Sequence, residues 1–182
     1  MPLNDYRAEH PPHPNPYSAT DIIALLHENH WLATDSTPEH LAWAERAAQL
    51  LGHYAEDRAA LANLLRPVFH YDAADILQSP DAQAGISRYA ARDVIRHLAL
   101  LLLEPAPFTS ERFKEVATYL KETCGVRSRD LFNPIRLALA GRIGEGELDR
   151  VILLLDEASL LPFATPVKSV RTRILEFCSA LD

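Results

Sequence analysis

Apolar residues recur at helical spacing from Ser18 onward, and strand-like alternation is nearly absent. Ile22, Ile23, Leu26, His27, His30 and Trp31 cover one face of a first helix, for which Ser18, Thr20 or Asp21 can act as the cap. A second helix is predicted from Thr37, with Pro38 in its first position. Leu41, Trp43, Ala44, Ala47, Ala48 and Leu51 lie behind it, and Gly52 stops it. The same spacing predicts helices over Glu56–Pro67, Ala73–Gln78, Asp81–Leu103, Ser110–Thr123, Arg129–Ala140, Glu147–Ala158 and Pro166–Leu181. The expected fold class is all-α.

Proline and glycine subdivide this pattern. Five of the thirteen prolines fall in the first sixteen residues, where fixed φ and missing N–H groups exclude helix, so residues 1–17 are expected to form an extended arm. In Glu104-Pro-Ala-Pro-Phe108, two prolines one residue apart stop a helix and hold the backbone extended. Two helical subdomains, residues 18–104 and 105–182, are expected to meet there. Gly125, Gly141, Gly144 and Gly146 all lie in the second, where tight turns and exposed backbone amides are therefore expected.

Composition then limits the class. The 182 residues are 48% apolar and 24% charged, within the globular range and outside the disordered and collagen-like ones. A chain of this size buries roughly 70% of its unfolded surface and needs no disulfide. Cys124 and Cys178 stand in no CxxC or metal-ligand spacing, so two reduced structural thiols are expected. The longest apolar run, Leu98 to Leu103, is about a third of the roughly 20 residues that cross a bilayer, and no signal-like apolar region opens the chain. A soluble, cytoplasmic protein with no membrane partner is expected. Net charge is −7, which argues against coating nucleic acid through bulk charge but leaves room for a local basic site. Residues 1–110 carry 7 basic and 14 acidic side chains, whereas residues 111–150 carry 8 and 7. A phosphate contact is therefore to be sought after residue 110.

Catalytic and cofactor signatures are missing. There is no Walker A loop, dinucleotide glycine fingerprint or nucleophile elbow, and Gly141-Arg-Ile-Gly144-Glu-Gly146 has the wrong spacing for a phosphate loop. His27 and His30 stand three apart rather than the four of a zinc protease helix, with no third ligand in view, and His10 and His13 sit in the proline arm. Paired acids such as Glu56-Asp57 and Asp72/Asp75 suit helix starts, where they offset the macrodipole. No catalytic residue, no metal and no cofactor are expected, and the chain is not expected to be an enzyme.

One segment carries a specific signal. From Phe108 to Ala158 a capped amphipathic helix ends at Gly125, a basic turn Val126-Arg127-Ser128-Arg129 follows, and a helix opens at Asp130-Leu-Phe. It continues through Asn133-Pro134-Ile-Arg136-Leu-Ala-Leu-Ala to Gly141 and a second glycine-rich turn. This segment resembles the C-terminal anticodon-binding domain of bacterial glutamyl-tRNA synthetases. That motif has a Gly-Val turn and then a Pro-hydrophobic-Arg step leading into Ala-Leu-x-Gly. Gly125, Val126, Leu131, Pro134, Arg136, Ala138, Leu139 and Gly141 match it at its spacing, and the helices from about Ser18 to Pro80 follow the family's first helical subdomain more loosely. The resemblance implies a stand-alone relative of two all-helical subdomains that grips an anticodon loop. The synthetase's own His-x-Gly-His element and lysine-serine loop are absent from these 182 residues.

What the resemblance implies for the site is specific. Arg136 is expected to aim its guanidinium at a loop base or phosphate, with Arg127 and Arg129 supplying phosphate charge. Arg142, with the loop through Gly144, Glu145, Gly146 and Leu148, is expected to offer backbone groups to an unstacked base. The structural alternatives are that Arg136 pairs with Asp130 or Glu122, that Arg127 and Arg129 are solvated, and that Phe132 and Leu148 pack in the core. Two departures from the family stand out: Leu51-Gly52-His53-Tyr54 replaces a base-reading arginine segment, and Glu145-Gly146 replaces a hydroxyl residue followed by proline. The implied partner is tRNA, specifically the anticodon loop of tRNA for glutamate. The other reading is a helical adaptor that has lost RNA and binds a protein, such as a synthetase, through apolar helix faces.

Overall fold

Cap residues fix where the helices begin. The computed structural model of the chain describes residues 14–182, and among these every regular element is helical. The order is α1 (Ala19–Glu28), α2 (Pro38–Leu51), α3 (Arg58–Phe69), α4 (Ala73–Gln78), α5 (Pro80–Ile86) and α6 (Ala91–Leu102). Then come α7 (Ser110–Cys124), α8 (Arg129–Ala140), α9 (Gly146–Ile152), α10 (Leu155–Ser159) and α11 (Val170–Leu181). A short 3-10 turn, Gly52–Tyr54, follows α2. The all-α expectation holds. Side-chain oxygens of Thr37, Asp57, Asp72, Ser79, Thr109 and Ser169 each accept a first-turn N–H, at about 1 kcal/mol apiece. No described helix is long and apolar enough to cross a membrane.

Several helix boundaries differ from those predicted. The span Asp81–Leu103 is two helices, because the chain turns over Ser87–Ala90 with Ala90 in the left-handed region at φ 59°. Both pieces keep the same apolar period, so the period alone conceals the break. Glu147–Ala158 likewise divides into α9 and α10 within a run, Val151 to Leu155, that is apolar on every face. The helix expected to end at Pro67 continues to Phe69 and carries that proline inside it. Proline has no N–H for the Asn63 carbonyl four residues back, and the Arg142 guanidinium donates to that oxygen instead at 3.0 Å. The last helix starts at Val170, behind its Ser169 cap, rather than at Pro166.

The centre of the bundle is α8. It packs on α5, α6, α7, α9 and α11, and every residue from Pro134 to Ala140 is buried, as expected of a helix enclosed on all sides. Helices from both sides of Glu104–Phe108 contribute to one buried apolar cluster running from Ile22 to Phe177. That segment is held as a turn: Arg112 donates to the carbonyls of Leu101 (3.1 Å), Glu104 (3.0 Å) and Ala106. Asp156 accepts from the N–H groups of Phe108 and Val170. Trp31 and Trp43 are core residues, as their helical spacing suggests, and their indole N–H groups reach His70 Nε2 (2.9 Å) and the Leu154 carbonyl (3.1 Å).

Most of the expected arm, residues 1–13 with His10 and His13, lies outside the described residues. Its described end, Pro14 to Tyr17, is non-helical and anchored. Asn15 Nδ2 donates to the Ala48 carbonyl at 2.8 Å, and a Cβ on Gly52 would fall 2.0 Å from Asn15 Oδ1, so a side chain there would force Asn15 out of this contact.

Two buried polar side chains tie the bundle together. His40 receives the Thr37 N–H on Nδ1 (3.0 Å) and donates from Nε2 to the Pro162 carbonyl (3.1 Å). Arg173 is fully buried and forms no ion pair with a described residue; its guanidinium serves the carbonyls of Pro67, Val68, Leu139 and Lys168 at 2.8–3.1 Å. It thereby satisfies carbonyls at the C-terminal ends of α3 and α8 at once. Burial pulls its pKa down to about 10, against the pull of Tyr71, Glu176 and Asp156, so it stays cationic at neutral pH.

Candidate nucleic-acid interface

The seven residues expected to form the site are carried by α8, the turns at its two ends and the first turn of α9. The helix has 12 residues and is therefore about 18 Å long at 1.5 Å per residue. Arg127 and Arg129 stand at its N-terminal end, while Arg142, Glu145 and Gly146 stand beyond its C-terminal end. The four arginines do not converge on one spot. Arg127 and Arg129 are exposed and make no ion pair or hydrogen bond among the described residues, so their charge is available to a ligand.

Arg136 is placed differently from the expectation. It lies in the enclosed stretch of α8 at 4% exposure, its Nε and Nη2 donating to the two carboxylate oxygens of Asp149 at 2.8 and 2.9 Å. Nη1 donates to the Gly144 carbonyl at 2.7 Å, and the guanidinium sits 5.1 Å from the Phe132 ring centre. The ion pair is made with Asp149 on α9, not with Asp130, which pairs with Arg88, nor with Glu122. A guanidinium held in this fork is not presented to a base. Its effect is positional, because one side chain fixes both α9 and the turn of residues 141–145 against α8.

That turn is further constrained at each step. Gly141 ends α8 at φ 76°, which favours glycine, and a Cβ there would lie 2.9 Å from Ile76 Cδ1, so any side chain would also have to displace the end of Ile76. Arg142 spans to α3, bonding the Asn63 carbonyl, and its pKa is lowered by burial and then by neighbouring Arg66. It is a half-buried strut with a second cation beside it rather than a free phosphate ligand. The Glu145 N–H donates to Glu147 Oε1 at 3.3 Å. Glu145 itself is exposed and Gly146 half-exposed, whereas the Leu148 side chain is 3% exposed and packs in the core, the structural alternative expected for it. Phe132 stacks on Phe113 at 6.4 Å, in keeping with packing.

Sequence reasoning missed Asp149, Asn63 and the turn between α5 and α6. Asp149 lies thirteen residues after its partner on another helix, where no local spacing signals it. Asn63 was detectable in principle, since Pro67 four residues on leaves its carbonyl without a helical donor. The α5–α6 turn comes to the N-terminal end of α8 through the Arg88–Asp130 ion pair at 2.8 Å. Elsewhere, His27 Nε2 bonds the Thr34 carbonyl, and among the described residues no group of three or more His, Cys, Asp or Glu is arranged to hold a metal. Cys124 and Cys178 are free thiols, both raised in pKa chiefly by burial.

Over 81 residues the chain is 38% identical to glutamate–tRNA ligase 2 of Syntrophus aciditrophicus (strain SB), a stretch covering 44% of this chain and 16% of that protein. No family model matches the chain, and no solved structure matches it. The chain thus resembles part of a glutamate–tRNA ligase and spans a small fraction of that relative's length.

Proposed function

We propose that this chain is a non-catalytic tRNA-binding protein, related to the anticodon-binding part of glutamyl-tRNA synthetases, that grips the anticodon loop of tRNA for glutamate. The observation that carries this reading is the 38% identity to a glutamate–tRNA ligase over 81 residues, in a chain whose described part is entirely helical. Arg127 and Arg129 support it as exposed cations with no partner among the described residues. In this reading they take phosphates, while Arg136 and Arg142 hold the turn of residues 141–146 in shape as a second contact at the far end of α8.

Titration of tRNA for glutamate in a gel-shift or filter assay tests the reading. Two to three neutralised phosphates, at about −0.7 each, give a log–log salt slope of about −1.4 to −2.1. The double reversal Arg127→Glu/Arg129→Glu is expected to abolish binding without changing the urea midpoint, since neither side chain is packed. An aminoacylation assay with ATP and glutamate is expected to give no product. Absence of tRNA binding near physiological salt removes this reading and leaves the protein adaptor.

A further inference from the structure

We infer that the exposed ring of Tyr89, with Arg92, Arg127 and Arg129 around it, is a stacking platform for an unpaired base of an RNA loop. The inference rests on the tRNA-binding reading and assigns it a second contact element, the turn between α5 and α6.

Three observations support it. Tyr89 is 83% exposed, the most exposed of the described aromatics, and it makes no hydrogen bond or ring contact among the described residues. A ring left this open gains nothing from packing, whereas its flat face suits any base. The turn that carries it adjoins the basic turn before α8: Arg88 bonds Asp130 at 2.8 Å, one residue from Tyr89 on one side and one from Arg129 on the other. A second link is that α6 packs directly on α7, the helix that leads into the basic turn. Finally, residues 87–93 and 125–130 together hold four arginines against two aspartates, Asp93 and the Arg88-paired Asp130, in a chain whose net charge is −7. Of those four, Arg92, Arg127 and Arg129 are exposed and unpaired among the described residues.

An exposed aromatic face in a turn joined through Arg88–Asp130 to a turn with exposed guanidinium groups fits a single-stranded polyanion with exposed bases. A duplex would offer the phosphates but no base to stack. An apolar protein surface would instead leave the cations without partners.

The experiment compares an anticodon stem-loop with a blunt duplex of the same stem, each titrated against wild type, Tyr89→Ala, Tyr89→Phe and Arg92→Gln. Tyr89→Ala is expected to weaken stem-loop binding roughly tenfold and leave duplex binding unchanged, and Tyr89→Phe is expected to bind like wild type. A 2-aminopurine placed in the loop is expected to be quenched by wild type and by Tyr89→Phe but not by Tyr89→Ala. Arg92→Gln is expected to lower affinity for both RNAs and flatten the salt slope by about 0.7. Wild-type binding with Tyr89→Ala indistinguishable from it overturns the platform and spares the tRNA reading. Absence of binding by wild type overturns both.

Discussion

Removal of the Asp149 carboxylate is expected to be among the most damaging single changes in the chain. The Arg136 side chain is 5% exposed and that of Asp149 21%, and the two are joined by both arms of the guanidinium fork. Asp149→Ala takes both carboxylate bonds from a buried cation, and the Gly144 carbonyl can bond it but not neutralise it. Breaking a buried pair from one side costs about 3–5 kcal/mol, and the partial exposure of Asp149 places this case near 3. In a protein of this length, that corresponds to a fall in melting temperature of roughly 6–12 °C. Urea unfolding followed by circular dichroism measures it, and Arg136→Met/Asp149→Leu provides the control. The double variant removes both charges, so it is expected to regain most of the loss and to keep wild-type affinity for tRNA. Asp149→Ala with an unchanged urea midpoint would refute the buried pair. A stable double variant that no longer binds tRNA would return Arg136 to the contact surface.

Three further outcomes follow from the packing. Arg142→Met is expected to cost about 1 kcal/mol in wild type and markedly less in a Pro67→Ala background, where a restored N–H serves the Asn63 carbonyl; a double-mutant cycle in urea reads the difference. Gly141→Ala is expected to destabilise by about 2 kcal/mol from its left-handed backbone, with a further loss from the contact with Ile76, again by urea midpoint. Tyr71 donates to the Ala138 carbonyl at 2.5 Å, and burial holds its phenol well above the ordinary value of 10.0. A raised folded-state pKa means stability that is complete below about pH 10 and lost as pH rises beyond it, so Tyr71→Phe is expected to be less stable than wild type at pH 8 and to overtake it under strong alkali.

Helix existence was legible in the sequence because the helices bury apolar residues at regular period, six of them behind a capping side chain. The spans Ala73–Gln78 and Arg129–Ala140 agree residue for residue with α4 and α8. Breaks were legible only where proline or glycine marks them. Ala90 turns the chain between α5 and α6 with no such residue, at a backbone angle that alanine rarely adopts, because helices packed on both sides fix the turn. Pro67 shows the converse: a residue that normally ends a helix is tolerated inside α3 because an arginine seventy-five positions later satisfies the carbonyl it orphans. Neither event has a local signature, since the stabilising partner is supplied by tertiary structure.

The same limit governs the arginines, and it sorts them into two kinds. From sequence, Arg127, Arg129, Arg136 and Arg142 are equivalent charges near two glycine-rich turns. Their environments differ by what the next helix brings: Asp149 and Gly144 enclose Arg136, Asn63 takes Arg142, and nothing described takes Arg127 or Arg129. A guanidinium already bonded in a buried fork would have to break those bonds before meeting RNA, forfeiting about 3 kcal/mol against a phosphate contact in water that returns less. The unpartnered pair forfeits nothing. Recognition by this chain is therefore expected at the N-terminal end of α8, where the cations and Tyr89 are exposed and have no partner among the described residues, while the conspicuous Pro-Ile-Arg motif within α8 keeps the scaffold rigid.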